Sequence, residues 1–299
     1  MSFLSPKNFI KRLLASQGYE ASLHRIANTP YTGQKVAFIH IAKCGGSSVD
    51  FALRSALASS GQRRIDKPAT IVSSMATFEG EINTLEGNCK FSEHHAQHLH
   101  KILGYYLEQH WQYISGHVTI NKELLERFKQ EYAFITILRD PVQRFISNYT
   151  FNKLTNKKAI MLPNSLNTDN VIAEAKEILN SQRGWQMANS PTMYLTGRYP
   201  KDEEDAKVMQ QEVANNLAQF KVVGFLDKLD KFAKDCQKLT GRDIDIGQRN
   251  TTEKLNSAEQ QKVKALLKEF FNDKETKTLV NKLCQFESEN YLRAKEIQR

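Results

Sequence analysis

Two segments constrain this chain more than any others. Each reads as a short buried strand running directly into a polar turn and then a helix. The first is Lys35–Ile41, KVAFIHI, followed by AKCGGSS and by SVDFALRSAL, where Val49, Leu53 and Leu57 recur at helical spacing. The second is Tyr132–Leu138, YAFITIL, followed by Arg139-Asp140-Pro141 and VQRFISNYTF. Asp140 suits an N-cap, because its carboxylate accepts from free amides of the first turn. Pro141 suits the first helical position, where no amide partner is required. Val142, Phe145, Ile146 and Tyr149 then give one apolar helix face. A third passage runs from Val222–Leu226 into DKLDKFAKDCQKL and stops at Gly241. Strands alternating with helices predict an α/β fold, a parallel sheet flanked by helices on both faces.

The remaining segments are less constrained. Residues 61–69 read as a loop, Thr70–Ser73 as a short strand, and 76–110 carry no decisive period. Gln112–Ser115 with the following Gly-His-Val reads as a short strand ending in a turn, and Lys122–Gln130 as a helix. Residues 151–215 look helical and polar, an insertion over the site or an acceptor-side region. Helices over Ser257–Phe271 and Lys274–Arg293 close the chain. At 299 residues the length is compatible with two domains or with one large α/β domain. The expectation is a single domain over 1–299, with residues 1–34 as a helical N-terminal extension.

Composition narrows the functional classes. No run approaches the ~18 apolar residues of a membrane span. The first twenty residues lack the apolar core and cleavage site of a signal peptide and read as a short amphipathic helix. Cys44, Cys89, Cys236 and Cys284 form no CxxC pair, which argues against a zinc module and for a reduced, cytoplasmic setting. There are 42 Lys and Arg against 33 Asp and Glu, a formal charge of +9. Such a surface attracts phosphate, nucleic acid, anionic lipid or acidic glycan. The basic residues are dispersed, without the dense runs of a nucleic-acid tail, so no nucleic-acid partner is expected. Peripheral contact with a membrane is compatible with the charge.

Ligands of open α/β sheets bind at the carboxyl ends of the strands. A glycine turn there lets backbone amides approach a phosphate, and a helix N-terminus favours an anion. In KCGGSS, Lys43 adds a mobile positive charge and Ser47 and Ser48 add hydroxyls. By itself this segment also fits a plain strand-to-helix turn. Its lysine precedes the glycines, which departs from the Walker pattern and counts against an ATPase or GTPase. Arg139, at the second strand end, can grip another phosphate through its planar fork, or can pair with a carboxylate. Arg144 reads as a structural ion pair. In EHHAQHLH, His94 and His98 are four apart, on one face of a helix, a spacing open to metal binding with Glu93 or to a solvated helix.

The two segments together resemble a known family. VAFIHIAKCGGSSVDFAL resembles the 5′-phosphosulfate motif of carbohydrate sulfotransferases, close to "FIHIPKTGGTS". LRDPVQRFISNYTF resembles their 3′-phosphate motif, close to "RDPVERFLSHY". YISGHV at 113–118 and RNTTEK at 249–254 are similar to the "YHGHV" and "RKTTEK" segments of heparan sulfate 2-O-sulfotransferases. NSPTMYLTG at 189–197 and VVGFLDKLDKFAKDCQKL are similar to segments of bacterial members, "NLxTRYLxG" and "FVGLTERFDESL".

The resemblance implies a P-loop-like sheet and a donor, 3′-phosphoadenosine 5′-phosphosulfate (PAPS), with the desulfated nucleotide PAP as product. It implies that Lys43 and the amides of Cys44, Gly45, Gly46, Ser47 and Ser48 hold the 5′-phosphosulfate. Arg139 and Ser147 would hold the 3′-phosphate, and Arg249, Thr251 and Thr252 would close a loop over the nucleotide. It requires no metal. The sequence departs from the pattern at Ala42, Cys44, Ser47, Ser115 and Asn250. Cys44 loses a hydroxyl donor, Asn250 replaces a basic residue, and Ser115 replaces the first histidine of "HGH".

Sulfuryl transfer to a hydroxyl requires stabilisation of the leaving oxygen and removal of a proton. Lys43 is the candidate for the first task and His117 for the second, with His94, His95 and Glu93 as alternatives for the base. His40 reads as a packing residue. The acceptor expected from the resemblance is a glycan or glycan-like molecule, and the charge suits an acidic one. Two other readings remain open at this point: a nucleotide phosphotransferase, and a silent nucleotide- or polyanion-binding protein.

Overall fold

The computed structural model describes residues 13–18, 26–62, 64–155, 168–247 and 257–297. Its centre is a four-stranded sheet in which every neighbour is parallel. The strands are β1 (Lys35–Ile39), β2 (Tyr113–Gly116), β3 (Tyr132–Leu138) and β4 (Val222–Phe225), in the order β2-β1-β3-β4. All of β3 and all of β4 are buried, as is β1 after Lys35. Covering both faces of a parallel sheet with helices removes the polar face, which is why KVAFI and YAFITIL read as unbroken apolar runs.

The order has a functional consequence. The chain leaves β1 and forms β2 on one side, then returns to form β3 on the other. A crevice opens where the order reverses, at the carboxyl ends of β1 and β3. Ile39 pairs with both Gly116 and Thr136, so β1 and β2 end at one level and β3 runs two residues further.

Helices follow each strand. α1 (Gly46–Leu57) follows β1, and α2 (Lys67–Ala76) and α3 (Leu85–Leu107) precede β2. α4 (Lys122–Phe128) lies between β2 and β3, and α5 (Pro141–Thr155) follows β3. The described part of the polar middle region forms α6 (Val171–Leu179), α7 (Gln182–Ala188), α8 (Ser190–Thr196) and α9 (Glu203–Leu217). α10 (Leu229–Thr240), α11 (Ala258–Asn272), α12 (Lys274–Leu283) and α13 (Gln285–Ile297) complete the fold. One apolar core surrounds the sheet. A second joins α5, α6, α7, α11 and α12 through Phe145, Tyr149, Ile178, Val263, Leu267 and Phe271. Among the described residues no helix is long and apolar enough to cross a membrane. All four cysteines are buried and unpaired.

Several expectations need correction. Thr70–Ser73 is not a strand but the middle of α2. Asp66 accepts from the Ala69 amide at 3.2 Å, and Pro68 sits in the first turn, so capping chemistry outweighs the β-branched run. Residues left unassigned contain the 23-residue α3, capped by Thr84, whose hydroxyl accepts from Gly87 at 3.0 Å. Its apolar stripe of Phe91, Ala96, Leu99, Leu103 and Leu107 is diluted by four histidines. The expected final helix is two, broken at Cys284. Gly241 ends α10 as the sequence predicts.

Candidate active site

β1 delivers the chain into a loop that only particular residues can form. Gly45 takes φ 78°, and a Cβ there would lie 2.5 Å from Leu226 Cδ1. Gly46 opens α1 with its Cα against the His40 ring, and a Cβ would lie 2.2 Å from Cδ2 of that ring. Two separate contacts therefore select the two glycines. Lys43 is also left-handed at φ 66°, at a cost of about 1–2 kcal/mol for a residue with a Cβ. Gly45 caps α1 without a side chain, and the Ser48 amide donates to the Gly45 carbonyl at 3.2 Å. Ser47 is exposed and Ser48 half-buried. Cys44 is fully buried and burial pushes its thiol up to about 12, so only its backbone can serve a ligand.

A Gly46→Ala variant tests this packing. It is expected to lose at least tenfold in affinity for PAP, while Gly247→Ala, with open space at its Cβ, keeps it. Equal affinity in both variants would contradict the account of the loop.

At the end of β3, the Gln143 amide donates to Asp140 Oδ1 at 2.9 Å, and the Arg144 amide to the Asp140 carbonyl at 2.8 Å. This N-cap fixes where Arg139 leaves the strand. Arg139 Nη1 donates to the Lys43 carbonyl at 3.2 Å, joining positions 96 residues apart. Its Nε is buried and makes no hydrogen bond to the described residues. Ser147, two turns into α5, lines the same cleft. Arg144 points the other way. It is fully buried and donates to the Met187 and Ala188 carbonyls at 2.6 and 3.0 Å. The expected carboxylate partner is replaced by the C-terminal carbonyls of α7, where a cation meets the negative end of the helix.

β2 ends at Gly116, and His117 follows. His117 Nδ1 donates to the His40 carbonyl at 2.8 Å. A carbonyl only accepts, so the proton sits on Nδ1 and the lone pair on Nε2. Burial, then the neighbouring His40 and Lys67, hold this imidazole well below its usual 6.5. Ser115, the substituted histidine position, is committed elsewhere. It donates to Asp50, which also accepts from Tyr113 at 2.9 Å and Arg64 at 2.6 Å, while Arg54 donates to the Ser115 hydroxyl at 2.9 Å. This buried network ties β2 to α1 behind the site.

The other histidines form a contact between helices. His94, His95 and His98 of α3 each bond one hydroxyl of the α2 segment: Thr77 at 2.9 Å, Ser74 at 2.7 Å and Ser73 at 2.9 Å. Of the three, only His95 lines the cleft, and burial lowers it to about 4. Glu93 accepts from Gln186 at 3.0 Å outside the cleft, so it and His94 are poorly placed as bases. No group of three or more metal-ligating side chains occurs among the described residues. Arg249, Thr251 and Thr252 lie outside the described residues.

Lys43, Gly45, Gly46, Ser47, Ser48, Arg139, Ser147 and His117 thus border one cleft of about 1530 Å³. Residues that sequence reasoning missed border it too. Phe151 holds the Lys43 ammonium 3.8 Å from its ring centroid. Lys67 stands in the first turn of α2, hidden by reading 61–69 as loop, although Asp66-Lys67-Pro68 carries a helix-start pattern. Arg183 and Tyr194 come from α7 and α8. Gln260, Lys264 and Lys268 line α11 at four-residue spacing, a pattern legible as a polar helix stripe. Six lysines and arginines border the cleft and no described carboxylate does.

Fold and cleft together define an α/β protein with a cationic crevice at its sheet's switch point. A family model described as the sulfotransferase family matches residues 32–292, well over half of the chain. The chain belongs to the sulfotransferase family, and its class of chemistry is sulfuryl transfer. No curated protein matches it.

Proposed function

We propose that this protein transfers a sulfuryl group from PAPS to a hydroxyl of a glycan or glycan-like acceptor, releasing PAP. One observation carries the reading. Arg139 and the Lys43 loop, joined by a hydrogen bond, offer two candidate anion positions in one cationic cleft, beside a neutral histidine. A donor phosphorylated at both ends of its ribose requires two such positions.

The residues present fit that donor. Lys43 and the first-turn amides of α1 would bind the 5′-phosphosulfate, and Arg139 and Ser147 the 3′-phosphate. Lys43 stabilises the charge that develops on the leaving bridging oxygen. His117 Nε2 takes the acceptor's proton as the new oxygen–sulfur bond forms. The cleft exceeds the ~300–1,000 Å³ of a single small-ligand site, which suits two substrates together. The six lysines and arginines among the described residues that border the cleft favour an acidic acceptor.

The test is transfer of ³⁵S from labelled PAPS to a panel of acidic glycans, neutral glycans and simple alcohols. Label in the acidic glycans first is the expected outcome. Label in none, with PAP bound, would favour the silent binding protein instead.

A further inference from the structure

Three imidazoles border the cleft. His117 is bonded through Nδ1 to a carbonyl and His95 to Ser74. His40 is placed differently. Its ring stacks on Phe38 at 5.4 Å and lies over His117 with centroids 4.1 Å apart. Its Cδ2–Nε2 edge faces Gly46, where a Cβ would lie 2.2 and 2.3 Å from those two atoms. That edge is therefore beside Gly46, the first residue of α1, whose N-terminus has no side-chain cap and favours an anion.

Strand register explains the pair. Ile39 and Gly116 are partners in β1 and β2, so the next residues, His40 and His117, emerge side by side. Ser115 stands where the resembled segment has a first histidine, and its hydroxyl is committed to Asp50 and Arg54. His40 after β1 and His117 after β2 are thus two neighbouring imidazoles of one cleft. Burial lowers His40 to about 3, with Lys67 and Arg64 adding to the effect, so the ring is neutral at working pH. A neutral imidazole carries one N–H donor and one lone pair, so His40 can donate from one ring nitrogen while it stays neutral.

We propose that His40 is a second catalytic imidazole, a neutral N–H donor to the sulfuryl oxygens during transfer, acting beside His117 as the base. The assignment rests on the donor reading above. The sulfur bond to the bridging oxygen breaks, and its electron pair stays on the 5′-phosphate of PAP. The acceptor oxygen bonds to sulfur and its proton passes to His117 Nε2. His40 keeps its proton throughout. Its contribution resembles that of a fixed oxyanion-hole donor, whose removal costs on the order of 100-fold in turnover.

The experiment uses the full chain as wild type, His40→Phe and His40→Gln. The probe is ³⁵S-labelled PAPS with water as acceptor, so no glycan needs to be known, and each protein is also titrated with PAP. Phe keeps the ring against Phe38 and Gly46 but has no N–H, whereas Gln restores a donor. The expected result is PAP affinity within about threefold of wild type for both variants, at unchanged KM for PAPS. Sulfate release should be about 100-fold slower in His40→Phe and at least about tenfold recovered in His40→Gln. A His40→Phe rate within threefold of wild type overturns the assignment. So does a Gln variant as slow as Phe, or joint loss of PAP affinity and rate, because packing is then the ring's contribution. Wild-type protein that binds PAP but releases no sulfate overturns this assignment and leaves the donor site standing. Wild-type protein that binds no PAP removes the donor reading, and this with it.

Discussion

Replacing Lys43 by alanine is expected to lower turnover of PAPS by about 10²–10³-fold, the usual effect of removing a group aimed at developing negative charge. The residue sits in a left-handed turn, with its ammonium over the Phe151 ring and its carbonyl held by Arg139. Alanine keeps the backbone donor and acceptor and bears the same positive φ. The lost cation–π contact amounts to about 0.5–2 kcal/mol at this half-buried site. The melting temperature should therefore move by only a few degrees while the rate collapses. Lys43→Arg is expected to recover little, since a planar fork cannot replace a compact ammonium in a turn of this shape. A Lys43→Ala enzyme turning over within threefold of wild type would remove the leaving-group role.

His117→Ala carries the second large effect, a loss of about 10²–10⁴-fold for a general base, with PAP affinity retained. The pH profile gives an independent test. The base works in its neutral form, and its affinity for protons is held well below 6.5 by burial first and then by His40 and Lys67. As pH falls through 6.5 the ring stays neutral, so kcat/KM in the wild-type enzyme should remain level there and decline only at lower pH. An acid limb centred at 6.5 or above would contradict the environment described for His117.

Stability follows the same sign from a different cause. His40, His95 and His117 are neutral when folded and bind protons with ordinary affinity when unfolded. The unfolded chain binds more protons below about 6.5, so folding stability is fully present above that pH. It is lost progressively toward the folded values, about 4 for His95 and about 3 for His40.

The parts of the fold that are legible in the sequence are those in which local and global preferences agree. KVAFI and YAFITIL are apolar on both faces because both faces are covered, and Asp140-Pro141 starts α5 by capping chemistry alone. The two strand-to-helix passages carry most of the residues proposed to hold the donor. The rest depends on partners distant in sequence. α3 hides its period because His94, His95 and His98 occupy turns that another helix satisfies with hydroxyls. His40 reads as packing and its ring does pack on Phe38 and His117, but its place in the cleft follows only once β2 lies beside β1. Arg144 looks like an ion pair, yet its partners are the carbonyls at the end of a helix some forty residues on. Arg183 and Lys67 have no local feature that marks them as cleft residues, since tertiary packing alone brings them there.

The central claim is that the cleft reads a nucleotide carrying a 3′-phosphate. Calorimetric titration of the purified protein with PAP, 5′-AMP and ATP tests it most directly, repeated with Arg139→Ala. The account predicts PAP binding at least about tenfold tighter than 5′-AMP or ATP, and loss of that preference in Arg139→Ala, where the fork facing the second phosphate is gone. ATP binding as tightly as PAP, or no binding of any of the three, would contradict it.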